Sequence, residues 1–259
     1  MARKTSPLSD PMPVQILDWT SSSTASTLVG GEVHVWRFCL DAPGPERLAL
    51  ESLLSSPERE RAEGIRIDSH RRRYVVGHGR LRRILARYLD VAAGAIDFGR
   101  HPRGKPFINP AQNPNDIQFN FSHTADTALV AIAIGRTLGV DVEEHRDDVD
   151  MELIARRQFA PGEQDRMVSL PRDERAVAFY RCWTRKEAYL KAIGDGIAGG
   201  LQGFEVTFLA NEAPALLRAK GGPEECRRWS IVPLDAGAGL SAACVVEGQP
   251  ARVVCLNLA

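Results

Sequence analysis

The sequence predicts an α+β fold of two similar halves related by a pseudo-twofold and meeting near residue 140, with the active site in the cleft between them. Three observations carry this expectation. Two long helical patterns, 69–89 and 172–193, are each flanked by strand-like runs. Three closely spaced strand-like runs, 117–121, 128–134 and 138–143, lie between those helices. The tail then returns to strands near 204–209, 228–232, 240–246 and 252–256. The first half is expected over 31–137 and the second over 138–259, with 1–30 as a flexible N-terminal extension.

The elements follow in order from local pattern. Residues 1–30 carry Arg3 and Lys4, but 21–27 is polar where a secretion signal would be apolar. In 33–40, His34, Trp36 and Phe38 alternate with Val33, Val35 and Arg37, the period of a strand. A Pro/Gly turn at 42–45 leads to helical segments at 46–54 and 57–63, with Ser56 as N-cap and Pro57 at the first helical position. Over 69–89, Tyr74, Leu81, Leu85 and Tyr88 form an apolar stripe at helical spacing, while Arg73, Arg80 and Arg87 recur every seven residues. A short strand is expected at 95–98. A loop at 99–116 then holds Arg103-Gly104-Lys105-Pro106. Gly135-Arg136 reads as a hairpin turn between the second and third central strands. Helices at 151–159 and 172–193 follow; Gly194-Asp195-Gly196 stops the second, and Gly199-Gly200 makes a flexible loop.

Composition limits the partners. Lys plus Arg and Asp plus Glu number 33 each, so no global field draws the chain to nucleic acid or membrane, and any anion site must be a local patch. The longest apolar run, 128–134, is too short to span a bilayer. Cys39, Cys182, Cys226, Cys244 and Cys255 form no C-x-x-C pair or zinc spacing, which points to a reducing cytoplasm.

Two segments carry the chemistry. In Gly139-Val140-Asp141-Val142-Glu143, residues two apart on a strand share a face, so Asp141 and Glu143 can reach one cation. Oxygen ligands beside a phosphate suit Mg²⁺; the plainer alternative is an acidic strand end entering a solvated loop. Trp183-Thr184-Arg185-Lys186-Glu187-Ala188-Tyr189-Leu190-Lys191 sets Glu187 and Lys191 four apart on a helix. Such a pair is ordinarily a surface salt bridge worth about 0.3–0.5 kcal/mol. Trp183 and Tyr180 beside it place the charges at the mouth of an apolar region, where a carboxylate needs a cation. Ser122-His123 ends a strand without any G-x-S-x-G elbow, so His123 is either a phosphate donor or a histidine satisfied within a turn. The arginines of 71–87 either solvate their helix or aim one or two guanidiniums at a phosphate.

Taken in order, Arg103-Gly104-Lys105-Pro106, Phe119-Asn120-Phe121-Ser122-His123, Leu138 through Glu143 and Trp183 through Lys191 resemble the 4′-phosphopantetheinyl transferases, specifically the large monomeric surfactin-type class. The resemblance covers roughly 55–210. It implies coenzyme A as donor and a serine of an apo acyl or peptidyl carrier protein as acceptor, in a Mg²⁺-dependent reaction that releases 3′,5′-ADP. It assigns Asp141, Glu143 and Glu187 to the metal, and Lys191, with Lys186 nearby, to the departing nucleotide. Ser122 and His123 would contact the 3′-phosphate, helped by Lys105 and Arg73. Arg103 belongs to the same nucleotide-binding set, and Arg59 stands where the family has a phosphate-binding Lys. Glu163 matches the proposed general base, a role that Glu143 could fill through a water. A cytoplasmic monomer linked to secondary metabolism, binding neither nucleic acid nor membrane, completes the expectation. The rival readings are a metal-dependent phosphohydrolase using the same carboxylates, a non-catalytic coenzyme A-binding module, and an RNA binder using the arginine helix.

Overall fold

The computed structural model describes residues 14–22, 27–194 and 200–258. Parts of the expected extension (1–13 and 23–26) and of the expected loop after the long helix (195–199) lie outside the described residues.

The first half is a sheet backed by a helix. Strand β3 (Glu32–Cys39) pairs antiparallel with β7 (Thr127–Ile134), and β7 pairs antiparallel with β6 (Ile117–Thr124). On one face Trp36, Phe38, Phe119, Val130 and Ile132 pack against Leu81, Ile84 and Leu85 of α3 (Asp68–Leu85). Two shorter helices, α1 (Gly44–Glu51) and α2 (Ser56–Glu63), precede α3. The N-cap of α2 is Ser55, one residue earlier than the Ser-Pro pattern predicts: Glu58 accepts from both the Ser55 backbone N–H (2.8 Å) and its hydroxyl (2.9 Å). The strand expected at 95–98 is instead a 3₁₀ turn at Ala93–Ala95 leading into β4 (Phe98–Arg100), which pairs with β5 (Pro106–Ile108).

The second half repeats the arrangement. Strands β8 (Leu138–Glu144), β12 (Leu240–Glu247) and β11 (Trp229–Leu234) form an antiparallel sheet in the order β11-β12-β8. Its outer face carries α6 (Arg172–Ile193), with α4 (Met151–Gln158), α5 (Pro161–Ser169), the short pair β9 (Glu205–Val206) and β10 (Leu216–Arg218), and α7 (Gly222–Arg228) around it. Neither α5 nor α7 was legible in the sequence. The inner faces of the two sheets share one core, with Val33, Val35, Leu129 and Ala131 opposite Val140, Val142, Val232 and Cys244.

Two expectations change. Gly135 (φ +61°) turns the chain, but β7 and β8 belong to different sheets, so the turn crosses between layers and makes no hairpin. The apolar residues of β7 and β8 drive this, because each strand buries one face in the shared core and the other under its own helix. The last strand, β13 (Arg252–Leu258), leaves the second half and pairs parallel with β3 in the first sheet. Part of the expected flexible extension is held there: β1 (Gln15–Ile16) and β2 (Thr20–Ser22) pair with β13. Arg37 also lies 4.4 Å over the Trp19 ring, whose indole N–H bonds Asp235 O.

The α+β class and the two helix-backed halves stand as expected.

Candidate active site

Strand parity and one glycine build the site. On β8, Leu138, Val140 and Val142 face the shared core, which turns Gly139, Asp141 and Glu143 toward α6. A methyl on Gly139 would lie 2.1 Å from Ala188 O and 2.4 Å from Ala192 N, so only glycine lets the helix backbone sit directly on the strand. That close approach brings the last turns of α6, with Glu187 and Lys191, over Asp141. On β6 the odd residues Phe119, Phe121 and His123 face α3, and the even residues Asn120, Ser122 and Thr124 face β8. Asn120 Oδ1 accepts from Val140 N–H (2.9 Å) and Thr124 Oγ1 from Glu144 N–H (3.1 Å), stitching the two sheets edge to edge.

The centre is a compact charged cluster. Lys191 Nζ donates to Asp141 Oδ1 (2.6 Å) and to Ser122 Oγ (2.8 Å), while Ser122 donates to the same Asp141 oxygen (2.9 Å). Glu143 accepts from Thr124 Oγ1 (3.3 Å) and from the Trp183 indole. Two oxygens, Asp141 Oδ2 and Glu187 Oε1, are buried without any hydrogen bond. Burial, then the charges of Asp141 and Glu143, push Glu187 up to about 7, with Lys191 offsetting part of the effect. Burial and Asp141 likewise raise Glu143.

Three carboxylates crowded around one lysine, two of them with orphaned buried oxygens, form a donor set that fits a hard divalent cation. Among the described residues no three acidic, histidine or cysteine groups already stand as a closed ligand cage. The fit rests on the orphaned oxygens and the charge crowding.

Next to this centre, with His123 and Thr124 of β6 in its lining, lies a cavity of about 420 Å³. Ile65, Gly77 and Phe121 contribute apolar wall; His70, Arg73, Tyr74, His78 and His123 are its titratable lining, and no carboxylate is among the lining residues. Desolvation, followed by the charges of Lys191, His78 and Arg73, lowers the pKa of His123. Arg73 reaches the cavity while paired with Asp126 at 2.7 Å. A smaller groove of about 150 Å³ lies on the other side, lined by Glu143, Ile154, Phe179, Tyr180 and Trp183 among others.

Of the residues singled out in the sequence, Ser122, Asp141, Glu143, Glu187 and Lys191 come together at this centre, and Arg73 and His123 line the cavity. Ser122 and His123 do not act as neighbours: parity sends the first to the carboxylates and the second to the cavity. Glu163 departs most from expectation. It is fully buried at the third position of α5, where Oε2 accepts from the Ala160 N–H (2.9 Å) and Oε1 from the Val206 N–H (2.8 Å). Both oxygens also bind Lys186 Nζ, at 2.6 and 2.9 Å, and Lys186 is fully buried too. A carboxylate with no exposure and both oxygens engaged has no way to receive a proton from an incoming hydroxyl, so Glu163 does not suit the base. Lys186 is correspondingly occupied with Glu163 and Phe204 O rather than with the cleft.

Three further cations stand elsewhere than expected. Lys105 Nζ donates to Leu138 O (2.9 Å) and Ala192 O (3.0 Å), capping the end of α6 from the first half, and desolvation lowers its pKa to about 8. Arg59 folds back on Leu54 O and Ser56 Oγ. Arg103 sits exposed in the turn between β4 and β5. Asn120, Thr124 and Gly139 were not picked out as site residues. Strand parity was the available signal for the first two, but a glycine's packing partner is invisible locally.

Comparison with known proteins is consistent with this geometry. Residues 43–134 match the model described as 4′-phosphopantetheinyl transferase, N-terminal, and residues 137–245 match the 4′-phosphopantetheinyl transferase superfamily. The chain is 38% identical over 230 residues to the 4′-phosphopantetheinyl transferase HetI of a Nostoc species, covering 89% of this chain and 94% of HetI. This chain belongs to the 4′-phosphopantetheinyl transferase superfamily. A phosphopantetheinyl transferase from a Thraustochytrium species is 31% identical over 201 residues, 73% of this chain and 69% of that protein. The 4′-phosphopantetheinyl transferase Sfp of Bacillus subtilis is 27% identical over 155 residues, 60% of this chain and 66% of Sfp. The protein is thus a 4′-phosphopantetheinyl transferase of the two-halved Sfp type, a family that acts on carrier proteins. The boundary between the two matched regions falls in the turn that joins β7 to β8.

Proposed function

We propose that this transferase moves the 4′-phosphopantetheine group of coenzyme A onto a serine hydroxyl of an apo acyl or peptidyl carrier domain, in a Mg²⁺-dependent reaction that releases 3′,5′-ADP. The observation that carries the reading is the Lys191–Asp141–Ser122 cluster, with Glu187 and Glu143 beside it, next to a cavity lined by His70, Arg73, His78 and His123. Asp141, Glu143 and Glu187 would hold the metal, which when bound supplies positive charge against the pyrophosphate oxygens.

The chain's own residues do the rest. The cavity takes the nucleotide, with Arg73 and His123 offering donors to its phosphate. Lys191 sets an ammonium where charge grows on the departing phosphate, and its bond to Asp141 keeps it aimed there. The seryl oxygen forms a bond to phosphorus as the bond to the bridging pyrophosphate oxygen breaks. The seryl proton passes through a water to Glu143, which also borders the aromatic groove. With Glu163 locked in its ion pair, no base from α5 is invoked.

All five cysteines are free thiols, which supports a reducing compartment, and no helix among the described residues is long and apolar enough to cross a membrane. We place the enzyme in the cytoplasm. Both halves of the site come from one chain, so no second copy is needed to complete it, and we assign the enzyme as a monomer. The test is the intact mass of an apo carrier domain incubated with the enzyme, coenzyme A and Mg²⁺. A gain of one phosphopantetheine, abolished by EDTA, is expected; no gain on fatty-acid, polyketide and peptide-synthetase carriers would overturn the reading.

A further inference from the structure

The cavity wall holds a residue pair that the reaction described above does not use. His78, on α3, lines the cavity beside Arg73 and His123. Its ring is fixed from three sides. Tyr74 stacks on it with centroids 4.0 Å apart, Phe121 meets it edge-on at 5.9 Å, and Nδ1 lies 3.4 Å from Glu58 Oε1. Glu58 is itself anchored. Its Oε2 accepts from Arg82 Nε (2.8 Å) and from the Ser55 N–H, and Arg82 is buried with Nη1 on Ile96 O (2.9 Å). Burial alone would raise Glu58, but the bonds from His78, Ser55 and Arg82 outweigh it and hold the carboxyl at about 2. Glu58 is therefore an anion that orients one imidazole nitrogen and leaves Nε2 as the nitrogen available to an occupant of the cavity.

We propose that His78 is a specificity-determining residue for the donor, recognising the phosphate on the ribose of coenzyme A through Nε2, with Glu58 as the positioning residue that aims it. The inference rests on the proposed coenzyme A site. The wall favours an anion because its titratable groups are His70, Arg73, Tyr74, His78 and His123, and the carboxylate against it, Asp126, is paired with Arg73. Glu58 lies behind His78, where its charge is matched by Arg82. Gly77 lets α3 pack closely against the wall: a methyl there would come within 3.1 Å of Leu40 and 3.3 Å of Phe121, the ring that meets His78 edge-on.

The test compares coenzyme A with 3′-dephospho-coenzyme A as donors for wild type and His78→Phe, which keeps the ring packing on Tyr74 and Phe121 but removes the nitrogens. The expected result is a KM for coenzyme A raised about tenfold, the loss of one hydrogen bond to a charged group. The KM for the dephospho donor should move less than twofold and kcat should stay unchanged, while the melting temperature falls by a few degrees, whichever donor is present, as Glu58 Oε1 loses its imidazole partner. His78→Leu provides the same comparison should the Phe variant fold poorly. Equal losses for both donors, or no loss for either, would overturn the proposal. A wild type that binds neither donor would instead overturn the coenzyme A site itself, so the two failures are distinguishable.

Discussion

Glu187 offers the sharpest physical test of the charge cluster, because its cation-free state is strained in a way that pH exposes. Burial, Asp141 and Glu143 hold its carboxyl at about 7, against an ordinary 4.5. A carboxyl raised in the folded state keeps a proton that the unfolded chain has already lost, so stability falls as pH climbs from about 4.5 through about 7. The gap between those values is worth about 3 kcal/mol at ~1.4 kcal/mol per pH unit, and about 2 kcal/mol of it accrues between pH 5.5 and pH 8. Glu187→Gln removes this titration. Its buried amide carries its own penalty, but that penalty is the same at both pH values and cancels in the comparison. With EDTA present, the melting temperature of the variant relative to wild type should therefore rise by about 4–8 °C between pH 5.5 and pH 8, using about 2–4 °C per kcal/mol for a chain of this size. Adding Mg²⁺ should stabilise wild type more at pH 8 than at pH 5.5, where protons compete for the carboxylates, and should leave the variant nearly unmoved. Transfer activity should be lost in the variant. Differential scanning fluorimetry at the two pH values reads the effect directly. A variant-minus-wild-type difference that does not change with pH would refute the charge-crowding argument.

Three further outcomes follow from named contacts. Glu163→Gln should destabilise by about 3–5 kcal/mol in urea melts, because Lys186 is left charged and buried, and pairing it with Lys186→Met should recover much of that loss. The double variant should still transfer phosphopantetheine per folded molecule, whereas a dead but stable double variant would restore Glu163 as a base candidate. Gly139→Ala should lower stability by about 1–3 kcal/mol or more as the α6 backbone is forced off β8, and a wild-type urea midpoint would contradict the packing. Lys105→Met should cost about 1–3 kcal/mol by unpairing Leu138 O and Ala192 O while leaving the KM for coenzyme A within about twofold; a large KM change with intact stability would return Lys105 to the phosphate.

Much of the fold and of the reaction centre was legible locally. The helix of 172–193 was read to its observed limits, Arg172–Ile193, because a glycine in the left-handed region at Gly194 (φ +74°) terminates it. Asp141 and Glu143 were placed on one strand face by a period of two, and Glu187 and Lys191 one turn apart by a period of 3.6. The misreadings share a cause. Gly135-Arg136 has the composition of a hairpin turn, and only the burial of β7 and β8 on both faces shows that they serve different sheets. Helix α5 has Ala160 rather than Ser, Thr, Asp or Asn before its Pro161 and carries Gly162 in its first turn, so its start is weakly marked, yet its packing buries Glu163 against Lys186.

By itself the sequence determined which groups exist and which lie on a common face, since those depend on backbone period and residue chemistry alone. It also carried the family resemblance that the matched regions bear out. Tertiary structure decided which of several like-charged side chains reach the cleft. Lys105, Lys186 and Lys191 have the same flexible stem and ammonium, and their sequence neighbourhoods give no reason to separate them. Packing separates them: Lys105 is drawn to the carbonyl end of α6, Lys186 to the buried Glu163, and Lys191 alone to Asp141. The physical reason is burial. A desolvated ammonium must take the nearest acceptor, and that acceptor is set by residues distant in the chain.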